Sequence, residues 1–406
     1  MSETIVLAFS GGLDTSFCIP WLAERFGRPV VAVTVDTGGF DRAAAADLAE
    51  RARVLGAVDH VLVDARAEFF ERVLRYLIFG NVRRGQTYPL SVGAERGVQA
   101  AVVARVAGER KARTVAHGST AAGNDQVRFE VALRTLDPSL EILAPVRDEP
   151  QPRPVQVAYL EARGLPVPAF GAAYSVNRGL WGVTIGGQET LDTVAPLPEA
   201  AWVLTRGAFE SPRAPERHRL SFEAGVPVAW DGLALDPVTL LETVEAAAAP
   251  FGLGRGIHLG ETILGIKGRV AYEAPAAEVL LTAHRELEKL VLTGRQLRIK
   301  ETVAAVYGDL VHEGQHLEPA ARDIEALLTS SQARVTGDVS LLFRTGQVFV
   351  EGVSSPWSLK NASRGIYGEA SGEWTAADAR GFSRIVALPG ELHARAGKLA
   401  AAEVTS

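Results

Sequence analysis

Cysteine is almost absent from this chain, and its scarcity removes two classes of structure. The 406 residues include a single cysteine, Cys18, so the chain cannot form an internal disulfide or a cysteine-based zinc cluster. The eight histidines are scattered along the chain, and we expect no dedicated zinc site among them. We therefore expect no dedicated metal site, and we expect Cys18 to be a small buried apolar residue.

Long apolar runs and an excess of positive charge are also missing. No apolar stretch approaches the roughly 20 residues that span a membrane, and the opening segment MSET leads into a strand without a basic leader. The formal net charge of −6 argues against broad nucleic-acid binding, which needs a basic surface. We expect a cytoplasmic protein with no nucleic-acid partner and no membrane partner.

The chain has the length for two domains, and its first part alternates β-branched runs with helical periodicity. The predicted strands cover 4–9, 30–35, 60–63, 113–116 and 140–143. This alternation predicts an α/β domain on a parallel sheet, whose ligands bind beyond the carboxyl ends of the strands. Polar loops follow the first, second and fourth predicted strands, at 10–16, 36–39 and 117–120.

The first of these loops, Ser10-Gly11-Gly12-Leu13-Asp14-Thr15-Ser16, precedes a helix. Backbone N–H groups at a helix N-terminus bind anions, and the paired glycines let a phosphate approach the backbone. The pattern GxxxxGK[ST] of γ-phosphate transferases is absent. The motif resembles that of the N-type ATP pyrophosphatases, which cleave ATP between its α and β phosphates. The alternative is an ordinary Gly-Gly turn.

Proline-rich segments at 149–154 and 164–168 interrupt the alternating pattern, so we place a domain boundary near Val167. The predicted units are a nucleotide-binding domain over 1–167, an α+β domain over 168–381 and a C-terminal tail over 382–406. In the second domain we predict strands at 220–222 and 226–230, helices at 237–248 and 276–290, and a hairpin at 344–346. We predict that the tail is a helix from about Phe382, interrupted at Pro389, and a candidate oligomerisation segment.

A second polar segment, 117–130, joins the loop after the fourth strand to the start of a helix. Asn124 is the predicted N-cap, and apolar residues follow it at helical spacing as a buried face. Asn124, Asp125 and Arg128 then lie on the first turn, towards the ligand edge of the sheet. Such a group can hold a zwitterionic amino acid. The alternative is a solvated first turn in which Asp125 favours the helix dipole.

Together, SGGLDTS and HGSTAAGNDQVRFE resemble the argininosuccinate synthase family. Two later segments agree: YSVNRGLWG at 174–182 is similar to the family's YSxDxNLxG loop, and KGRVAYEAP at 267–275 to its KxRxxYExP segment. The segment around Tyr88 is similar to the family's tyrosine segment. The resemblance runs in order from about residue 4 to residue 290. It implies an adenine nucleotide alpha hydrolase-like first domain and a second, α+β synthetase domain.

The resemblance also implies roles for individual residues. Those for ATP are Ala8, Phe9, Ser10, Gly11, Gly12, Leu13, Asp14, Thr15, Ser16, Val35, His117 and Gly118. Those for citrulline are Tyr88, Gly93, Asn124, Arg128, Ser175, Thr184, Glu261 and Tyr272, and those for aspartate are Thr120, Asn124 and Asp125. The residues expected to take part in catalysis are Ser10, Asp14 and Asp125.

Some positions depart from the family pattern, so we expect a divergent member. Val35 stands for an Ala, Gly93 for a Ser or Thr, Ala121 for a Gly, Asn177 for an Asp, Gly179 for an Asn and Gly260 for a Glu. Glu261 lies one residue beyond the place of that Glu. Thr184 stands for a Ser and keeps the hydroxyl.

The implied reaction joins citrulline to aspartate, a step of arginine biosynthesis. The ureido oxygen of citrulline attacks the α-phosphate of ATP with Mg²⁺ present, pyrophosphate leaves, and aspartate displaces AMP from the citrullyl-adenylate. Asp125 or a phosphate oxygen would accept the proton of the aspartate ammonium. The resemblance further implies a homotetramer. The alternatives are a ligase for a citrulline analogue, a non-catalytic ATP-binding protein, and an RNA-thiolating pyrophosphatase, which the single cysteine disfavours.

Overall fold

The computed structural model describes residues 3–40, 42–168, 174–369 and 371–404. They divide into two compact units, Met1–Trp357 and Ser358–Ser406. None of the described helices combines the length and the apolar character that a membrane span requires.

The strands are numbered in chain order. They are β1 Ile5–Ala8, β2 Val30–Asp36, β3 Asp59–Asp64, β4 Thr114–His117, β5 Glu141–Leu143, β6 Ser175–Gly179, β7 Gly182–Gly186, β8 Glu216–Glu223, β9 Val226–Trp230, β10 Leu233–Ala234, β11 Arg255–Glu261, β12 Lys267–Glu273, β13 Gly337–Arg344 and β14 Gln347–Ser354.

The α-helices are numbered in the same way. They are α1 Leu13–Phe26, α2 Arg42–Val54, α3 Arg66–Phe69, α4 Arg75–Gly80, α5 Arg96–Glu109, α6 Asp125–Leu136, α7 Pro145–Asp148, α8 Arg153–Glu161, α9 Pro237–Ala248, α10 Pro275–Val291, α11 Gly294–His312, α12 Pro319–Gln332, α13 Leu359–Ala362 and α14 Ala376–Val404. A π-helical turn covers Phe70–Leu74, and short 3₁₀ helices cover Ser91–Glu95, Gln188–Leu191, Glu199–Ala201 and Ala249–Phe251.

The first half of the chain forms a parallel sheet with the order β3-β2-β1-β4-β5. The predicted strands agree with the observed ones to within two residues at each end. The runs are buried in the central strands β1, β2 and β4, whereas the edge strands β3 and β5 are partly exposed. Because all strands run the same way, the loops after β1, β2 and β4 emerge together at one edge. The α/β prediction for this part is confirmed.

Helices α1 and α8 pack with one face of this sheet into a single apolar cluster. Cys18, on α1, is fully buried in that cluster, and burial raises the pKa of its thiol above the usual range. The prediction of a buried cysteine is confirmed. Pro20 lies inside the same helix, where its missing N–H leaves the carbonyl of Ser16 without its usual helical donor.

The second half is built from two antiparallel sheets and several helices, as an α+β domain should be. One sheet has the order β10-β9-β8-β13-β14, and the other has the order β11-β12-β7-β6. The predicted helices at 237–248 and 276–290 correspond to α9 and α10, and the hairpin around Gly346 joins β13 to β14. Both halves belong to the same compact unit, so the boundary near Val167 stays a prediction.

The hairpin of β6 and β7 packs directly against the loop after β2. The N–H of Leu180 donates to the carbonyl of Thr37 at 2.7 Å. A Cβ on Gly39 would clash with the carbonyl of Arg178, and Gly38 has a φ of 104° and would meet Leu180. Two glycines are needed for this close approach. It brings the second antiparallel sheet to the ligand edge of the parallel sheet.

The C-terminal unit contains α13 and α14. The predicted tail helix is present, but it begins at Ala376 and continues through Pro389 as one element. The expected interruption was wrong because a proline inside a helix removes one hydrogen bond, here to the carbonyl of Ile385, while the turns on both sides remain.

Candidate active site

Two cavities open side by side at the carboxyl ends of the parallel strands. The first has a volume of about 610 Å³ and the second of about 480 Å³. Both are lined by Asp14, Arg96, Gly118, Ser119, Asp125, Arg153, Ser175 and Asn177. Groups bound in the two cavities can therefore meet at this shared wall, which is what a reaction between two bound substrates requires.

The loop after β1 is held by hydrogen bonds among its own groups. Thr15 Oγ1 donates to the carbonyl of Gly12 at 3.2 Å and lies 3.2 Å from Ser10 Oγ. The N–H of Gly12 donates to Ser10 Oγ at 3.5 Å. Ser10 and Gly12 are exposed and line the first cavity. The loop is thus preorganised to present polar groups to an anion.

Gly11 is required by its surroundings. Its φ is 74°, in the left-handed region, and a Cβ there would clash with the side chain of Leu48 on α2. Arg51, one turn further along the same helix, donates to the carbonyl of Gly11 at 2.7 Å. The helix after β2 therefore fixes the loop after β1, a contact that the local motif does not reveal.

Most of the residues predicted for ATP line the first cavity. They are Ala8, Phe9, Ser10, Gly12, Leu13, Asp14, Thr15, Val35, His117 and Gly118. Gly11 and Ser16 are buried behind the loop. Burial, reinforced by Arg147, lowers the pKa of His117 to about 4, so its ring is neutral at pH 7. The N–H of Ser119 donates to its Nδ1 at 3.3 Å.

Asp14 is the acidic residue of the loop and belongs to the wall that the cavities share. Its Oδ1 accepts a hydrogen bond of 2.8 Å from Gln156 Nε2 on α8. Among the described residues, no three His, Cys, Asp or Glu side chains come together as a metal-binding group. A Mg²⁺ ion held by one carboxylate and substrate phosphates needs no such group, so the residues present fit an ion that arrives with ATP.

Most of the residues predicted for the amino acids line the second cavity. They are Tyr88, Gly93, Thr120, Asn124, Asp125, Arg128, Ser175, Thr184 and Glu261. Tyr272 lies behind Tyr88, with 5.2 Å between the ring centroids, and its hydroxyl donates to the carbonyl of Thr87 at 3.0 Å. Its direct role in citrulline binding stays a prediction.

Asn124 occupies the N-cap position of α6, as predicted, but it makes no capping hydrogen bond. Its backbone is helical, and its Oδ1 instead accepts from the N–H of Ile263 at 2.9 Å. Ile263 lies in the turn between β11 and β12. The side chain therefore joins the first turn of α6 to the second half of the molecule at the wall of the second cavity.

Asp125 is held between two guanidinium groups. Its Oδ2 accepts from Arg96 Nε at 3.0 Å and its Oδ1 from Arg128 Nη1 at 2.8 Å. Burial opposes ionisation, but Arg96 and Arg128 outweigh it and hold the pKa of Asp125 at about 2. A carboxylate with so low a pKa is a weak base at pH 7. Of the two proton acceptors expected from the sequence, a phosphate oxygen is therefore favoured.

Glu95 is a second buried carboxyl group in this charge network, and no motif pointed to it. It lines the first cavity, accepts from the hydroxyl of Thr37 at 2.9 Å and from Arg96 Nη1 at 2.7 Å. Burial raises its pKa to about 7 despite the attraction of Arg96. The residue stands next to Arg96 in sequence, so a change in its charge acts on the partner of Asp125.

Arg128 is nearly fully buried, and the end of α11 fixes it. Its Nε donates to the carbonyl of His312 at 2.7 Å, and its Nη2 lies 3.2 Å from the Nδ1 of the same residue. Gly93 gives it space, because a Cβ there would lie 3.2 Å from Nη2. The departure at Gly93 thus accompanies a guanidinium that is packed closely against the backbone.

Gly260 and Glu261 alternate along β11 and so point to opposite faces. A Cβ on Gly260 would lie 2.5 Å from His258 Nε2, and the ring of His258 stacks on Tyr88 with centroids 5.2 Å apart. Glu261 is exposed and pairs with Lys267 at 2.7 Å. His258 therefore occupies space beside Gly260, and the binding role of Glu261 stays a prediction.

Several cavity residues were not identified from the sequence as site residues. Those that line one or both cavities include Glu95, Gln99, Arg153, His258, Arg269 and His312. Arg153 was assigned to the proline-rich linker, and His258 belongs to no spaced pattern. His312 opens the sequence HEGQH, in which His316 follows at HExxH spacing, but α11 ends at His312, so the two histidines do not share a helix. Only contacts between distant parts of the chain bring them to the site.

Comparisons with known proteins agree on one family. Residues 4–166 match the family model described as the arginosuccinate synthase N-terminal HUP domain, and residues 174–393 match its C-terminal domain. The argininosuccinate synthase of Xanthomonas campestris is 41% identical over 403 residues, covering 98% of this chain and 100% of that protein. The argininosuccinate synthase of Methanocaldococcus jannaschii is 38% identical over 359 residues, covering 88% and 90%.

Proposed function

The chain belongs to the argininosuccinate synthase family, and we propose that it joins citrulline to aspartate at the expense of ATP. It is a ligase that forms a C–N bond. Citrulline is first adenylated with release of pyrophosphate, and aspartate then displaces AMP to give argininosuccinate. This is a step of arginine biosynthesis.

The wall shared by the two cavities carries this proposal. The phosphate-binding loop opens on the first cavity, and Asn124 and Arg128 open on the second. Asp14 and Asp125 belong to both walls. An ATP in the first cavity and an amino acid in the second would bring the α-phosphate and a ureido oxygen together at this edge.

In the first half-reaction the protein positions two reactants and stabilises charge that develops on pyrophosphate. The N–H of Gly12 and the hydroxyl of Ser10 would bind phosphate oxygens in place of their weak 3.5 Å contact, while Thr15 keeps the loop in shape through the carbonyl of Gly12. Asp14 would hold a Mg²⁺ ion together with those oxygens, and the bound ion supplies further neutralisation of the leaving group.

In the second half-reaction the amine of aspartate must approach the activated carbon. Thr120, Asn124 and Asp125 are the residues we assign to aspartate. Asp125 remains anionic over the whole physiological range, since its pKa is held at about 2, so it can attract an ammonium without taking its proton. The phosphate oxygen that leaves with AMP is the acceptor that we assign to that proton, since a phosphate monoester has a second pKa of about 6 and is a stronger base than Asp125.

Product analysis tests the proposed function. Purified protein with ATP and citrulline should exchange labelled pyrophosphate into ATP, and addition of aspartate should give stoichiometric AMP, pyrophosphate and argininosuccinate. ADP as the main product would contradict the adenylation step. Equal activity with other ureido compounds in place of citrulline would favour a ligase for a citrulline analogue.

The variant Ser10→Ala tests the loop within the same assay. We expect the rate to fall on the order of 100-fold, because one hydrogen bond aimed at developing charge is lost, with little change in melting temperature. Ser139→Ala is the matched control, since the Ser139 hydroxyl is exposed and bonds to Asp137 far from the cavities. An unchanged rate in Ser10→Ala would remove Ser10 from the catalytic group.

We also propose a cytoplasmic location and a homotetrameric assembly. The first expectation comes from the composition of the sequence and the second from the family resemblance. The apolar residues of α14, described below, support the second. Static light scattering of the purified full-length chain measures the assembly directly.

A further inference from the structure

His312 is the last residue of α11 and lies 184 positions from Arg128, beyond the part of the chain that carries the family motifs. Only 6% of the residue is exposed, yet it lines the second cavity. No role in substrate binding has been assigned to it above. One of its ring nitrogens, Nδ1, has a hydrogen-bond partner, and the other, Nε2, has none among the described residues.

The hydrogen bond to Arg128 determines the tautomer of the His312 ring. A guanidinium group can only donate, so the Nδ1 of His312, 3.2 Å from Arg128 Nη2, must be an acceptor. Burial, with the charges of Arg128 and Arg84, lowers the pKa of the ring to about 3. The imidazole is therefore neutral at pH 7, and its proton is on Nε2.

The Nε2–H group is a buried donor with no partner among the described residues. A buried donor that loses its hydrogen bond costs roughly 1–3 kcal/mol, and native proteins rarely leave one unpaired. Because the residue forms part of a cavity wall, a bound ligand is a natural source of the missing acceptor. The acceptor must be an oxygen or an unprotonated nitrogen.

Arg128 has only part of its donor set free for a carboxylate. Of its five N–H groups, Nε donates to the His312 carbonyl, one on Nη1 donates to Asp125 and one on Nη2 donates to His312 Nδ1. One donor remains on each terminal nitrogen. The ring of His312 both orients this guanidinium and adds a donor close to it.

The position of His312 also indicates which end of the substrate it meets. The shared wall, with Asp14 and Ser119, is where the ureido group must reach the α-phosphate. His312 lines only the second cavity and not that shared wall. It is therefore placed for the amino-acid end of citrulline, where a donor beside Arg128 suits the carboxylate and disfavours the ammonium.

We propose that the Nε2–H of His312 donates a hydrogen bond to the α-carboxylate of citrulline, beside Arg128. The inference rests on the proposed function. It makes His312 a further substrate-binding residue, supplied by the second half of the chain.

Two substitutions separate the functions of the two ring nitrogens. His312→Asn places an amide oxygen where Nδ1 accepts from Arg128 and removes the donor at Nε2. His312→Gln places an amide N–H near the position of Nε2 and removes the acceptor at Nδ1. His316→Asn is the matched control, because His316 is an equally buried histidine of the following turn and lines neither cavity.

Calorimetric titration with citrulline and with its decarboxylated analogue, 4-ureidobutylamine, tests the contact in the presence of α,β-methylene ATP. His312→Asn should raise the Kd of citrulline tenfold or more, the loss expected for a hydrogen bond to a charged group. It should leave the Kd of the analogue within twofold of wild type. His312→Gln should bind citrulline more tightly than His312→Asn, and His316→Asn should bind it like wild type.

A proportional loss for both ligands in His312→Asn, or no loss for either, would overturn the carboxylate contact. If His312→Asn does not fold, the Kd values of citrulline and the analogue are compared in His312→Gln instead. A preference for citrulline like that of wild type supports the donor at Nε2, and loss of that preference contradicts it. The wild-type assay separates this idea from the proposed function. If wild type forms AMP but His312→Asn does not discriminate between citrulline and the analogue, only the role of His312 is rejected. If wild type does not bind citrulline, both the role of His312 and the proposed function are rejected.

Discussion

The ionisation of single residues in this site depends on the charges beside them. Glu95, Arg96, Asp125 and Arg128 alternate in sign along the junction of the two cavities. Asp125 has two guanidinium partners and a pKa of about 2, whereas Glu95 shares one and has a pKa of about 7. Two buried carboxyl groups of one network thus differ in ionisation because their partners differ.

Glu95→Gln should remove a pH dependence of stability. The pKa of Glu95 is raised in the folded protein, so the folded state loses stability as pH rises from the unfolded value near 4.5 towards 7, and the penalty is complete above pH 7. Glutamine cannot ionise. Across this pH range the free energy of unfolding of wild type should therefore fall by up to about 3 kcal/mol relative to that of the variant.

Urea unfolding followed by tryptophan fluorescence at pH 5 and pH 8 measures this effect. Glu210→Gln is the control, because Glu210 is exposed and the variant should follow the wild-type pH dependence. Parallel curves for wild type and Glu95→Gln would show that Glu95 ionises freely in the folded chain.

At the scale of elements, the site depends on how closely β6 approaches the 3₁₀ helix Ser91–Glu95. Gly179, at the end of β6, has no side chain, and a Cβ there would clash with Glu95 Oε2. The glycine at 179, which departs from the family pattern, thus leaves the space that the carboxyl group of Glu95 occupies. The two positions should be energetically coupled.

Gly179→Ala should destabilise the protein by about 1–3 kcal/mol, the usual cost of overpacking. Adding Glu95→Ala should remove most of the clash, so the double variant should be more stable than the sum of the single effects predicts. Chemical denaturation of the four proteins gives the coupling energy. Gly186→Ala, in the same hairpin with nothing near its Cβ, should cost much less, and additive effects would contradict the proposed contact.

At the scale of the whole molecule, α14 carries apolar residues at helical spacing. Phe382, Ile385, Leu392 and Leu399 are each more than half exposed. An amphipathic helix whose apolar side faces water usually has a partner, and this agrees with the oligomerisation role expected for the tail.

The double variant Phe382→Ser/Ile385→Ser should therefore reduce the assembly. We expect a lower molar mass by light scattering, with unchanged melting of the first unit, because the stripe loses two of its four apolar side chains. Arg384→Ser is the control on the same helix and should keep the wild-type mass. An unchanged mass in the double variant would sink the idea that this helix holds copies of the chain together.

Local features of the sequence determined the architecture. The apolar, largely β-branched runs predicted β1 to β5 to within two residues, because the signal for a strand is contained in a few consecutive residues. The loop Ser10–Ser16 predicted the phosphate-facing edge, because strand, glycines and helix start are neighbours in the chain. The turn at Gly346 and the helix α9 were also predictable, since their signals are contained within a few residues.

Tertiary structure alone decided how the site is completed. Asn124 bonds to Ile263 across 139 positions, and Arg128 is fixed by His312 across 184. The ionisation of Glu95 depends on burial and on Arg96, and the position of Tyr272 behind Tyr88 depends on sheet packing. Sequence patterns report local backbone preferences, whereas these partners, and the pKa values they set, exist only once distant segments share a dry interior.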